Sequence, residues 1–182
     1  VPVGAVYDGT AKTATAVTTN PSGEVVANPS VTYSPGPGAP VNAGTYTASA
    51  SYPGDDTYEA SSDSKQFTIA QAASMVTVTA STATYDGSPH GGTATVTGAG
   101  SLNQSLTVTY SGRNGTTYGP STTAPTSTGD YLAAASYPGD TNHTASSGSA
   151  DYTIALAPSA VTVTAPNATY DGKPHGGTAQ VT

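Results

Sequence analysis

One pentapeptide, Ser-Tyr-Pro-Gly-Asp, stands at Ser51–Asp55 and again at Ser136–Asp140, 85 positions further on. A chain that repeats itself at that step is built from copies of one unit, because it matches the length of a single small β-sandwich module. The register extends well past the pentapeptide. Thr68-Ile69-Ala70 returns as Thr153-Ile154-Ala155, Gly44-Thr45-Tyr46 as Gly129-Asp130-Tyr131, and Met75 to Ala80 as Ala160 to Ala165. Tyr-Asp-Gly occurs at Tyr7, Tyr85 and Tyr170, so the first step is 78 residues and the second 85. The shortfall lies after Val31–Ser34, which matches Val108–Ser111; the second copy then carries extra residues within 112–128. Insertions are cheapest in surface loops, and this stretch is read as one. The chain divides into a first repeat at 1–73 with an incomplete opening strand, a complete second repeat at 74–157, and the start of a third at 158–182.

The periodicity within each copy is that of strands. Tyr46, Ala48, Ala50 and Tyr52 fall on one face with Thr and Ser on the other, and Tyr131, Ala133, Ala135 and Tyr137 repeat the pattern. Val76, Val78 and Ala80 alternate with Thr77 and Thr79, as a half-buried strand requires. Pro-Gly and Asp-Gly pairs punctuate these runs, and no segment carries a helical period. The fold class is all-β, with sandwich domains arranged end to end. The joints are short: six residues, Ala70 to Met75, separate Ile69 from Val76. Such a link makes a stiff rod with about 35–40 Å per step.

Composition excludes several functions. With four Lys plus Arg and a net charge of −7, the chain has no basic stripe to neutralise phosphates, so nucleic acid is not a partner. The absence of cysteine removes disulfides and thiolate metal sites. No apolar run approaches the ~20 residues of a membrane span. Three histidines, two of them in the same turn of successive repeats, with no cysteine, offer no catalytic constellation, so no enzyme activity and no cofactor are expected.

Tyr-Asp-Gly near the start of each copy, Ala43-Gly44-Thr45-Tyr46 before a strand, then Tyr-Pro-Gly-Asp and a last strand ending in Ile-Ala together resemble the MBG or YDG class of bacterial immunoglobulin-like repeats. The resemblance implies immunoglobulin-like sandwiches in a large secreted or surface protein of adhesin type, extracellular or on the cell surface. There such modules act as a stalk, a spacer or a filament. Neighbouring repeats of the same chain, and identical subunits in a filament, are the implied partners. The alternative is a binding module for a glycan or a host surface protein, acting through loop 112–128 with Arg113, Asn114 and Tyr118; binding predicts that this loop is ordered and aromatic-rich around a cleft, a spacer that it is open and mobile.

The tyrosines have structural roles in this reading. Tyr46 and Tyr131, each two residues after a glycine at the head of a strand, resemble a tyrosine corner with buried ring and bonded hydroxyl. Tyr7, Tyr85 and Tyr170 lead into Asp-Gly turns and are likewise read as structural. Three chemistries are set aside. Asp86 with His90, and Asp171 with His175, supply two ligands where a structural zinc needs four, and the first copy has Lys12 in place of the histidine. Asp55, Asp56 and Glu59 suggest calcium, yet the second copy keeps only Asp140, so a hairpin turn is the simpler reading. Lys12, Lys65 and Lys173 do not recur in register, which removes an isopeptide crosslink. Asn103, Asn114, Asn142 and Asn167 fit the N-glycosylation pattern.

The alignment places Val1 opposite Thr79, so the first repeat lacks the equivalents of Val76 and Val78, while the third offers Val161 and Val163. If the 182 residues are a complete subunit, Ala160 to Ala165 inserts into the open edge of the next subunit's first repeat. If they are cut from a longer array, no exchange is needed. The third repeat's continuation through Tyr170-Asp171-Gly172 favours the array.

Overall fold

The computed structural model describes residues 4–182. The alignment of Val1 with Thr79 lies outside the described residues. Every element of the described chain is a strand: β1 (Ala5–Val6), β2 (Thr18–Thr19), β3 (Val25–Ala27), β4 (Val31–Ser34), β5 (Gly44–Tyr52), β6 (Ser61–Ala70), β7 (Ser74–Ala80), β8 (Ala83–Thr84), β9 (Gly92–Gly98), β10 (Leu102–Leu106), β11 (Thr109–Arg113), β12 (Gly129–Tyr137), β13 (Ser146–Ala155), β14 (Val161–Thr164) and β15 (Thr178–Val181). The alternation of Val, Ala and Tyr with Thr and Ser puts one apolar face on each strand, and the sheets form by burying those faces.

In the second repeat a three-stranded sheet, β10-β9-β7, and a four-stranded sheet, β11-β12-β13-β8, enclose one core. Val76, Ala94 and Val96 come from the first sheet; Tyr110, Tyr131, Ala133, Ala135, Tyr137, Tyr152 and Ile154 come from the second. Val96 and Ala133 are fully buried. Alanines leave room that tyrosines fill: Tyr131 stacks on Tyr152 with centroids 5.6 Å apart, and Tyr110 meets Tyr152 edge to face at 6.4 Å. Packed aromatic pairs add to the area they bury.

The first repeat has the same four-stranded sheet, β1-β6-β5-β4, but only the β2-β3 pair opposite it. Its core is correspondingly thin, with Ala48, Phe67 and Ile69 as its buried residues. β5 pairs with β6 in the register that joins β12 to β13: Tyr46 opposes Phe67 as Tyr131 opposes Tyr152, and Ala50 opposes Asp63 as Ala135 opposes Gly148. The third repeat's β14 and β15 pair as an isolated hairpin whose Val161, Val163 and Val181 are exposed.

A short parallel bridge recurs in both repeats. Ala5–Val6 pairs with Ile69–Ala70, and Ala83–Thr84 with Ile154–Ala155. Each bridge is extended by the Tyr-Asp-Gly tyrosine, since the Tyr7 amide donates to the Ala70 carbonyl and the Tyr85 amide to the Ala155 carbonyl, both at 2.9 Å. The turn is thereby tied to the end of the last strand, where the next repeat begins.

Candidate functional site

The two tyrosines after glycine share one geometry. The Tyr131 hydroxyl donates to the Ser127 carbonyl at 2.7 Å and that of Tyr46 to the Asn42 carbonyl at 3.0 Å. Their burial differs: Tyr131 is 1% exposed, while Tyr46 is only partly buried. The cause is the inserted loop. Tyr118 packs edge-on against Tyr131 at 5.7 Å and its hydroxyl donates to the Thr123 carbonyl at 2.8 Å, with Pro125 fully buried beneath. The first repeat has no residues to do this.

Loop 112–128 is therefore closed over its own core. Arg113 pairs with Asp151, and Asn114 donates to the Asp130 carboxylate at 3.0 Å. That bond, followed by one from Thr153, holds Asp130 below the usual carboxylate range. Beside them lies a furrow of about 270 Å³ lined by Thr82, Asp130, Asp151 and Thr153. Arg113, Asn114 and Tyr118 are thus each engaged within the domain, and the loop forms a cover over the core with a small polar furrow at its edge.

The Tyr-Asp-Gly turns are held by their own carboxylates. Asp8 accepts from the Thr10 amide and from Lys12; Asp86 accepts from the Ser88 amide at 2.8 Å and meets His90 at 3.0 Å; Asp171 repeats this with Lys173 and His175. A basic residue four positions on closes every copy of the turn, which explains why Lys12 replaces the histidine. Among the described residues no three His, Cys, Asp or Glu side chains gather as metal ligands. The hairpin carboxylates are likewise consumed. Asp55 accepts from the Thr57 and Tyr58 amides and the Tyr52 hydroxyl, and Asp140 from the Asn142 and His143 amides and the Tyr137 hydroxyl.

These bonds stabilise the ionised acids. The Tyr137 hydroxyl, with the turn amides and His143, brings Asp140 from the ordinary 3.8 to about 2. A carboxylate with a lowered folded value contributes stability above its unfolded pKa and loses it as pH falls. Acid titration should therefore lower the melting temperature of the second repeat progressively from near pH 4 down to about 2. Asp140→Asn should flatten that limb; an unchanged limb would assign the acid loss elsewhere.

A further set of contacts lies where the repeats meet. The linker zips onto the second repeat: the Ala72 amide donates to the Asn142 carbonyl at 2.8 Å, the Thr144 amide to the Ala72 carbonyl at 2.9 Å, and Gln71 Nε2 to the Asp140 carbonyl at 2.7 Å. Asn142 also reaches into the first repeat, where its Oδ1 accepts from the Ala43 amide at 2.8 Å and its Nδ2 donates to Asn42 Oδ1 at 3.2 Å. Tyr7 completes the joint by meeting the His143 ring edge to face at 5.2 Å. Gly9 and Gly100 face each other beneath it: a Cβ on Gly100 would lie 2.3 Å from the Tyr7 hydroxyl, and one on Gly9 would lie 2.9 Å from Gly100 Cα.

Tyr7 packs both on the core of its own repeat and against the His143 ring of the next, whereas the Tyr85 side chain is 44% exposed and that of Tyr170 93% exposed. Glycan on Asn142 would attach at the Nδ2 that bonds Asn42, and so would break the joint, and glycan on Asn114 at the Nδ2 that bonds Asp130; Asn103 and Asn167 are exposed. His143, which stands where the first repeat has Tyr58, is 4% exposed, a packing residue rather than a surface one.

Strand insertion by Val161 and Val163 meets an obstacle. The described residues of the first repeat leave a groove of about 490 Å³ between 14–19 and β5–β6, where the second repeat seats β7. That seat depends on Gly148, whose Cβ would stand 2.6 Å from the Val76 carbonyl oxygen. The register equivalent in the first repeat is Asp63, and Lys65 lines the same groove. A valine strand seated there as β7 is seated would strike the Asp63 Cβ and desolvate two charged groups.

Comparison with known proteins gives one family: the MBG domain, matched over residues 2–73. No curated protein and no solved structure matches the chain.

Proposed function

We propose, from the match of residues 2–73 to the MBG domain, that the chain is a structural stalk region of an extracellular bacterial surface protein. Its repeats are immunoglobulin-like sandwiches placed head to tail, and their task is to hold other domains at a distance rather than to catalyse. The observation that carries this reading is the joint. A flexible tether would leave linker amides in water, whereas here Gln71, Ala72 and Ser74 all bond the next repeat. Linkers fixed by backbone pairing transmit direction from one domain to the next. No helix of the described residues is long and apolar enough to cross a membrane.

Loop 112–128 is ordered and carries Tyr118, where a spacer is expected to have an open, mobile loop; what supports spacing all the same is that Arg113, Asn114 and Tyr118 are spent on internal contacts and that the furrow beside them is small. Small-angle scattering of the 182-residue chain tests the proposal. A stalk gives an elongated particle of constant shape across salt concentrations; a compact particle with the first two repeats folded side by side would refute it.

Asn142→Ala should leave both cores folded and weaken the joint by about 1–3 kcal/mol, since the Ala43 amide loses its acceptor. The checkable sign is faster hydrogen exchange at Ala43 and Ala72 with unchanged exchange in β12.

A further inference from the structure

His143 puts a titratable ring into the joint at the position where the first repeat carries Tyr58. Its Nδ1 lies 2.9 and 3.1 Å from the two Asp140 carboxylate oxygens, and its Nε2 lies 2.9 Å from the Ala99 carbonyl oxygen. A carbonyl and an ionised carboxylate both only accept. Neutral imidazole has one N–H, so either the Ala99 carbonyl or the half-exposed Asp140 carboxylate would face a lone pair of His143, itself only 4% exposed. The doubly protonated ring satisfies both.

The ring also ties together the two loops that form the seat for Tyr7. Asp140 belongs to the hairpin between β12 and β13, and Ala99 to the turn between β9 and β10. Tyr7 rests on both, edge-on to His143 and against Gly100. The groups facing His143 are Asp140 on its own hairpin, Tyr137 acting through its 2.8 Å bond to Asp140, the Tyr7 ring from the first repeat, the Ala99 carbonyl from the β9–β10 turn, and linker backbone at Ala72. The charge arithmetic therefore reduces to one imidazole against one carboxylate.

We propose that the joint between the first and second repeats is a proton-operated latch: a second proton on His143 locks the hairpin to the β9–β10 turn and holds Tyr7 between them. Loss of that proton breaks one of the two bonds and loosens the seat without unfolding either core. Tyr58 gives the same position in the first repeat no such switch. This device goes beyond the stalk reading, because a stiff joint needs no titrating group.

The test uses the whole 182-residue chain. Hydrogen exchange at Ala43 and Ala72, corrected for intrinsic rates, is followed against pH beside long-range proton–nitrogen spectra of the His143 ring. Joint protection should fall roughly tenfold as His143 passes from two ring protons to one, the effect of losing a charge-assisted hydrogen bond, while Tyr131 in the core keeps its protection. His143→Tyr should remove the pH dependence, and His143→Gln, which donates without titrating, gives the same reading if the larger ring does not fit. A ring that stays in one neutral tautomer throughout the folded range would overturn the latch. So would protection that ignores the titration, or a pH dependence that survives both substitutions.

Discussion

Tyr131→Ala should destabilise the second repeat by about 3–5 kcal/mol, the range for emptying a large aromatic site in a core. The ring is 1% exposed, stacks on Tyr152, carries Tyr118 on its other side and donates from its hydroxyl to Ser127. All of these contacts are lost together, and Tyr118 loses its support. The matched substitution in the first repeat, Tyr46→Ala, should cost distinctly less, because that ring is only partly covered and the inserted loop is absent there. Denaturant unfolding of the two variants, read by probes in each repeat, compares them directly. Equal costs would mean that loop 112–128 adds nothing to the core.

Gly148→Asp is expected to be comparably severe, costing about 3 kcal/mol or more by combining overpacking with a desolvated carboxylate. The new Cβ would stand 2.6 Å from the Val76 carbonyl oxygen, a backbone atom that moves only if β7 leaves its seat on β13. Aspartate is the informative choice, since the first repeat carries Asp63 at the equivalent register and tolerates it beside an open groove. The expected signature is exchange of the β7 amides with β12 still protected. A variant as stable as the parent would show that β7 can shift, and would reopen the first repeat's groove to a strand such as β14.

Sequence reading and structure agree where local rules govern. Alternation in Tyr131–Tyr137 and Val76–Ala80 determined which faces are buried, and the 85-residue step carried the strand register from one copy to the next. Residues 112–128 begin as the end of β11 and continue as a loop whose role is not legible in sequence: Tyr118 on a loop reads as an exposed aromatic until Tyr131 is seen beneath it. The joint escaped for a different reason. Asn142 and Ala43 are 99 residues apart and bond partly through backbone, which leaves no mark on side-chain type. Its residue-level signals are the changes from Thr57 to Asn142 and from Tyr58 to His143, departures from the repeat that mark residues with a distinct environment. Asp63 opposite Gly148 is a further such departure, and it bears directly on whether an apolar strand fits the first repeat's groove.

The first two repeats are expected to move as one body through the joint at Tyr7, Ala43, Ala72, Asn142 and His143. Residual dipolar couplings measured on the weakly aligned chain test it most directly, because each repeat reports its own orientation. A fixed joint gives a single alignment tensor that fits β5–β6 and β12–β13 together, and splits into two on Asn142→Ala. Two tensors of different magnitude in the unaltered chain would show repeats swinging on a free tether, and would contradict the account.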